Sequence, residues 1–274
     1  MALVNFDFQS DCLKGDTEIS VILPDKPWGK NPTEFYRSGK KYPVLWLLHG
    51  TFGDHSDWVR KSNIELYACE KDVIVVMPSG LNANYANWPN FSLGYNMYDF
   101  LFDELMPLIY GWFPASDKRE DNFVAGLSMG GRGTCVYAFS RPEKFGGAAI
   151  LSACPRNVKT MAEDDPRMWE RTLGSIENQG GLENYLNSYE NSWDILDKLV
   201  EEKADLPKLY FACGEDDMLY KPYMIFKKHA EEIGLDAKFE EIPGYRHEWR
   251  FWDLTIEKAM NYFGLTKEDG GNPF

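Results

Sequence analysis

The residues best suited to chemistry stand at Gly126-Leu127-Ser128-Met129-Gly130-Gly131. They follow an apolar stretch, Phe123-Val124-Ala125, and precede Gly133 to Ser140, which can continue as a helix. A G-x-S-x-G run between strand and helix predicts a turn so tight that only hydrogen fits as a side chain at positions 126 and 130. Such a turn lifts the Ser128 hydroxyl above the sheet edge and aims the Met129 amide at the same space. The chemistry this suits is nucleophilic attack on a carbonyl, with an amide in place for the resulting oxyanion.

A serine hydroxyl is a poor nucleophile near neutral pH and needs an imidazole base oriented by an acid. Of the four histidines, His49 and His55 lie ahead of the serine, and His49 reads as structural, holding its loop by side-chain hydrogen bonds. His229 falls in the expected helix Lys221 to Ile233 beside Lys227 and Lys228 and reads as part of a solvated face. His247 lies in the turn Gly244-Tyr245-Arg246-His247, between the last expected strand and the last helix, and is the candidate base. The acid is expected where Leu209 to Cys213 runs into Gly214-Glu215-Asp216-Asp217. Asp217 is preferred and Asp216 is second, because Glu215 follows the strand too closely. The chain order Ser128, Asp217, His247 is that of the α/β-hydrolase triad.

A second oxyanion donor is expected from His49-Gly50-Thr51-Phe52-Gly53, whose Thr51 amide, or alternatively that of Phe52, would join the Met129 N–H. Phe52, Tyr85, Trp88 and Trp249 flank these loops and are candidates to stack on a phenolic acyl group or a sugar ring, although core or rim packing is the commoner role of such aromatics.

These groups need a scaffold. Short aliphatic runs read as strands at Val4 to Phe8, Glu18 to Leu23, Val44 to Leu48, Val73 to Met77, Asn122 to Ala125, Gly147 to Leu151, Lys208 to Ala212 and Lys238 to Ile242. The middle ones are apolar throughout, as strands covered on both faces should be. Tyr98, Leu101, Leu105, Leu108 and Trp112 form one helical stripe, in which Pro107 should kink or split the helix. Trp252, Ile256, Ala259 and Phe263 form another, ended by Gly264. Strands alternating with helices predict an α/β fold with a mostly parallel, doubly wound sheet and an antiparallel N-terminal hairpin or edge. The acidic segment 155–205, with Trp169, Trp193 and a central Gly180-Gly181, is expected as a small helical insertion capping the site. Its aromatic surface is a candidate for homo-oligomer contacts.

The chain of 274 residues is 44% hydrophobic and shows no linker or repeat, so one domain, 1–274, is expected. A net charge of −14 disfavours nucleic acid and anionic membranes as partners. The N-terminus lacks a basic n-region, and no apolar run reaches the ~18 residues of a membrane span. Five scattered cysteines without a C-x-x-C pair suit reduced thiols of a cytoplasmic protein. H-x-x-x-H and H-E-x-x-H spacings are missing, so no metal is expected.

Taken together, Leu47-Leu48-His49-Gly50, the run 126–131, Cys213-Gly214-Glu215-Asp216-Asp217 and His247-Glu248-Trp249 resemble the esterase D-like group of α/β-hydrolases. The similarity is greatest to bacterial tributyrin (acetyl) esterases and to the feruloyl, cinnamoyl and acetylxylan esterases of carbohydrate esterase family one. It runs from about Val4 to Phe263. It implies the α/β-hydrolase fold, no cofactor, and hydrolysis of small-molecule carboxylic esters through a serine acyl-enzyme, with Ser128 as nucleophile, His247 as base and Asp217 as its orienter. Small neutral acyl esters, including acetylated or cinnamoylated sugars, are the expected substrates, because acidic loops disfavour strongly anionic ones. The S-formylglutathione hydrolases share the scaffold, so a thioester is an alternative substrate. Acyl transfer to a sugar and a catalytically silent binding scaffold are the other readings.

Overall fold

The computed structural model describes residues 2–266. All eight expected strands form: β1 (Ala2–Ser10), β2 (Gly15–Leu23), β3 (Val44–Leu48), β4 (Ile74–Pro78), β5 (Asn122–Leu127), β6 (Gly147–Leu151), β7 (Lys208–Gly214) and β8 (Ala237–Ile242). They make one sheet in the order β1-β2-β4-β3-β5-β6-β7-β8. β1 and β2 pair antiparallel, and β2 meets β4 antiparallel. From β4 to β8 every pairing is parallel. This is the mostly parallel α/β-hydrolase sheet with an antiparallel N-terminal edge.

Successive residues of a strand point to opposite faces, and here both faces are dry. Val44, Trp46 and Leu48 enter one apolar cluster with Ile74, Val76 and Val124. Leu45 and Leu47 enter the other with Val75, Phe123 and Ala125. The first face is covered by α1 (Met129–Ser140), α3 (Ser192–Glu201) and α4 (Tyr220–Ile233), through Val136, Leu196 and Phe226. The second is covered by the helix Ile64–Glu70 and by α5 (Trp249–Tyr262), through Ala68, Trp252 and Ile256. The α5 stripe buries as expected. Gly264 follows at φ +90°, and its N–H donates to Asn261 O while Leu265 N–H donates to Met260 O, both at 3.0 Å, which closes the helix with a Schellman motif.

The Pro107 segment departs from expectation. It is continuous from Met97 to Trp112, but residues Phe100–Leu105 form a π-helix before the α-helical turns of Met106–Trp112. The wider turns shift the buried face, so Phe100, Leu101, Leu105, Met106 and Ile109 point inward while Trp112 is 69% exposed. Pro107 then stands at the start of the following α-helical stretch, where its missing N–H does little harm.

After β6 comes the insertion, with α2 (Pro166–Asn178) and α3 as its longest helices. Val158, Met161, Ile176 and Tyr185 give it a small apolar centre of its own, against which Trp169 packs. Trp193 is buried and stacks on His229 at 4.2 Å. Trp193 is therefore spent inside the molecule, and Trp169 is half-buried. His229 is likewise not a solvated face. Its Nε2 lies 2.6 Å from Asp197 Oδ1, tying α4 to α3, because helical spacing sets it three residues from buried Phe226 rather than with its lysine neighbours.

Candidate active site

β5 ends at Leu127 and α1 begins at Met129, leaving Ser128 at the turn with φ 54° and ψ −114°. A non-glycine residue in that region stores about 1–3 kcal/mol of strain. The neighbours hold it there: Ser128 N–H donates to Leu151 O at 2.9 Å, and Arg132 N–H donates to Ser128 O at 3.0 Å. A Cβ on Gly126 would lie 2.4 Å from the Gly130 carbonyl, and one on Gly130 would lie 2.4 Å from Leu48 O. Both obstacles are backbone, which cannot rotate aside. Gly130→Ala should thus cost about 3 kcal/mol of stability, read as a lowered midpoint in urea unfolding followed by circular dichroism.

The acid and base loops are built against each other. Gly214 approaches so closely that an added Cβ would lie 2.3 Å from Tyr245 O. Glu215 N–H donates to Ile242 O at 3.1 Å, and Asp216 N–H donates to Tyr245 O at 3.0 Å. These bonds leave Glu215 and Asp216 exposed and turn Asp217 inward. Its buried carboxylate accepts Leu219 N–H at 2.8 Å and lies 2.9 Å (Oδ2) and 3.1 Å (Oδ1) from His247 Nδ1. Nδ1 accordingly carries the proton, and Nε2 is the basic nitrogen. On the other side of the imidazole stands Trp252, edge-on at 5.0 Å and 88°, its indole N–H donating to Ser152 Oγ at 2.9 Å. Trp252 stood out in the sequence only as one of a helical stripe.

The loop after β3 is fixed by His49. Its Nε2 accepts Gly80 N–H at 2.8 Å, so Nδ1 is the protonated nitrogen and donates to Gly50 O at 2.7 Å. Burial holds its pKa below the ordinary value, which keeps the ring neutral in this structural role. Phe52, at φ 66°, donates its N–H to Asn82 Oδ1 at 2.9 Å. The amides of Thr51 and Met129 have no acceptor among the described residues.

The family model Esterase, described as "Putative esterase", matches residues 10–260. The chain belongs to this esterase family. It is 30% identical to an acetyl esterase of Caldicellulosiruptor saccharolyticus over 98% of this chain and 100% of that protein. Among solved structures it is similar to FphF, a fluorophosphonate-binding serine hydrolase of Staphylococcus aureus, with TM-score 0.79, 30% identity and coverage of 96% of this chain and 98% of that one. It also resembles the S-formylglutathione hydrolase FrmB of Staphylococcus aureus, with TM-score 0.77, 30% identity and the same coverage.

In this esterase the elbow, the His247 turn and the insertion enclose a cavity of about 470 Å³. Ser128, Met129, Thr51, Phe52, His247 and Trp249 line it, with Asp217 behind the imidazole. Phe52 is 91% exposed at its mouth. Trp249 packs edge-on between Trp58 and Trp252 at 5.2 and 5.3 Å. Two of the aromatic candidates are placed elsewhere. Trp88 is outside the lining, packs against the core and donates its indole N–H to Ala83 O at 2.8 Å. Tyr85 is fully buried, with its hydroxyl on His49 O at 3.0 Å. Tyr85 answers to a partner 36 residues away, which local sequence does not reveal.

The lining is richer in cations than the acidic composition suggests. Arg132 pairs with Glu190 at 2.8 Å and Arg156 pairs with Asp165. Arg167 and Arg171 also reach the cavity, Arg171 donating to Thr51 Oγ1 at 3.3 Å. Only Arg132 carried a usable signal, one helical turn beyond Ser128. Cys135 and Cys154 line the cavity too, but burial pushes both thiols above their ordinary pKa, so they do not compete as nucleophiles.

Proposed function

We propose that this carboxylic ester hydrolase works through Ser128 as nucleophile, His247 as general base and Asp217 as its orienting acid, on small acyl or cinnamoyl esters. The observation that carries the reading is the buried Asp217 carboxylate holding His247 Nδ1 at 2.9 Å on a cavity whose wall includes the strained Ser128. His247 Nε2 takes the hydroxyl proton as Ser128 Oγ attacks the ester carbonyl. The tetrahedral oxyanion is met by the N–H groups of Met129 and Thr51, the Phe52 amide being engaged by Asn82. His247 returns the proton to the leaving alcohol, and water then repeats the cycle on the acyl-enzyme.

Phe52 and Trp249 border the acyl or alcohol group in this scheme. Phe52→Ala should raise KM for aryl esters about threefold to tenfold, with a smaller change in kcat, as steady-state kinetics on a cinnamoyl ester would record. We further place the enzyme in the cytoplasm, as one domain acting on a small molecule, a reading that its five unpaired cysteines support. Among the described residues no helix is long and apolar enough to cross a membrane.

Thioester hydrolysis is the second reading, favoured by the similarity to FrmB. The test of both is turnover of 4-nitrophenyl acetate, butyrate and cinnamate beside S-formyl- and S-acetylglutathione. Faster turnover of the oxygen esters is expected. Turnover of the glutathione thioesters alone replaces the ester reading, and no turnover of either set overturns the hydrolase mechanism.

A further inference from the structure

The mechanism uses the elbow side of the cavity and leaves its insertion side without a task. Among the described residues four buried side-chain polar atoms meet no hydrogen-bond partner: Asn96 Oδ1, Arg132 Nη1, Ser175 Oγ and Ser192 Oγ. All but Asn96 belong to residues that line this one cavity. Ser175 and Ser192 are 1% and 6% exposed. Buried polar atoms in folded proteins are paired in the great majority of cases, so such a concentration at one wall points to a ligand.

The three groups come from three helices, α1, α2 and α3, and two of them, Arg132 and Ser192, belong to residues bonded to Glu190. Arg132 Nη2 donates to Glu190 Oε2 at 2.8 Å. Gln179, about one turn beyond Ser175, donates to Oε1 at 2.9 Å, and Ser192 N–H donates to Glu190 O at 2.9 Å. The guanidinium is therefore held in place with its charge balanced, while Nη1 keeps its hydrogens unspent. A guanidinium nitrogen only donates, and each serine brings a hydroxyl proton. Their common partner must be an acceptor. Because Glu190 already neutralises Arg132, an uncharged oxygen suits the wall better than a further carboxylate, whose burial would go uncompensated.

We infer that this wall is a subsite for an uncharged oxygen acceptor of the substrate, an ether, carbonyl or hydroxyl oxygen on one arm of the ester, bound by Arg132 Nη1, Ser175 Oγ and Ser192 Oγ. The inference rests on the esterase reading and narrows it, since a plain alkyl chain would leave these donors dry. The preferred substrates are oxygenated esters.

The test compares kcat/KM, each value divided by the hydroxide-catalysed rate, for ester pairs in which one methylene is replaced by oxygen. One series moves the oxygen along the acyl arm, as in 4-nitrophenyl pentanoate against 3-methoxypropanoate. The other moves it along the alcohol arm, as in butyl against 2-methoxyethyl acetate. One position in one series should be favoured about tenfold, which also assigns the arm. In the S175A/S192A double variant the preference should fall to about onefold to threefold, with thermal melting and fluorophosphonate labelling confirming a folded, reactive protein. Turnover of alkyl esters with no oxygen position favoured, or a preference that survives the double variant, overturns the subsite and leaves the esterase reading intact. Faster turnover of a 4-nitrophenyl hemiglutarate than of every ether overturns the uncharged assignment. No turnover of any ester defeats the esterase reading as well.

Discussion

Ser128→Ala is expected to lower kcat by about 10⁵–10⁶-fold on any ester the enzyme accepts, leaving only what the oxyanion amides and binding supply. The variant keeps a Cβ at φ 54° and so keeps the elbow's strain. Its melting temperature should stay near that of the parent, which separates lost chemistry from lost fold. Ser128→Gly should be equally inactive yet more stable by about 1 kcal/mol, since glycine meets no steric cost at that φ. His247→Ala should approach the loss of Ser128→Ala, and combining the two should cost little more, because nucleophile and base act as one unit. Steady-state rates beside calorimetric melts check all of this. A Ser128→Ala protein retaining a hundredth of parental kcat would sink the assignment.

Asp217→Asn should lower kcat by about 10⁴-fold, while Asp216→Asn should change it less than twofold. The amide would sit between Leu219 N–H and His247 Nδ1, where the carboxylate now accepts from both. An amide can satisfy Nδ1 with its NH₂ only if the imidazole moves its proton to Nε2, the nitrogen that must accept from Ser128. The tautomer is then wrong even where the geometry survives. Asp216 is exposed, and its N–H, rather than its carboxylate, holds the loop to Tyr245. Rates for the two variants across neutral pH decide the matter, and a greater loss in Asp216→Asn would reverse the two residues' roles.

The contrast between those adjacent aspartates shows where reading the chain ran out. β3 and β6 were legible to the residue because they are apolar at every position and bounded by turn-formers. The elbow was legible because its glycines are demanded by backbone collisions that any such turn creates. Which of two neighbouring carboxylates turns inward depends on bonds to Ile242 and Tyr245, residues from another strand and loop. The π-helix before Pro107 was hidden for a related reason, since the proline permits either a kink or a wider turn and the burial of Phe100 and Met106 selects the latter. His229 was misread because its partner, Asp197, is supplied by the folded chain, and which aromatics would pack rather than line the cavity was open for a like reason, the Tyr85 hydroxyl meeting His49 O 36 residues away. The Arg132–Glu190 pair bridges α1 and the insertion across 58 residues of sequence, beyond the reach of any local pattern.

The acid and base loops are bonded to each other through two backbone bonds, from Glu215 and Asp216, while the segment between β6 and β7 reaches the acid loop through a long side-chain contact, Arg167 Nη1 donating to Met218 Sδ at 3.5 Å. Reactivity and selectivity are thereby written on separable stretches of polypeptide. A lineage can rewrite the roof while the engine beneath stays in register, provided the new roof still answers Arg132 with a counterpart to Glu190. Chimeras that exchange 155–205 between relatives should thus inherit the donor's taste for substrates and the recipient's catalytic power.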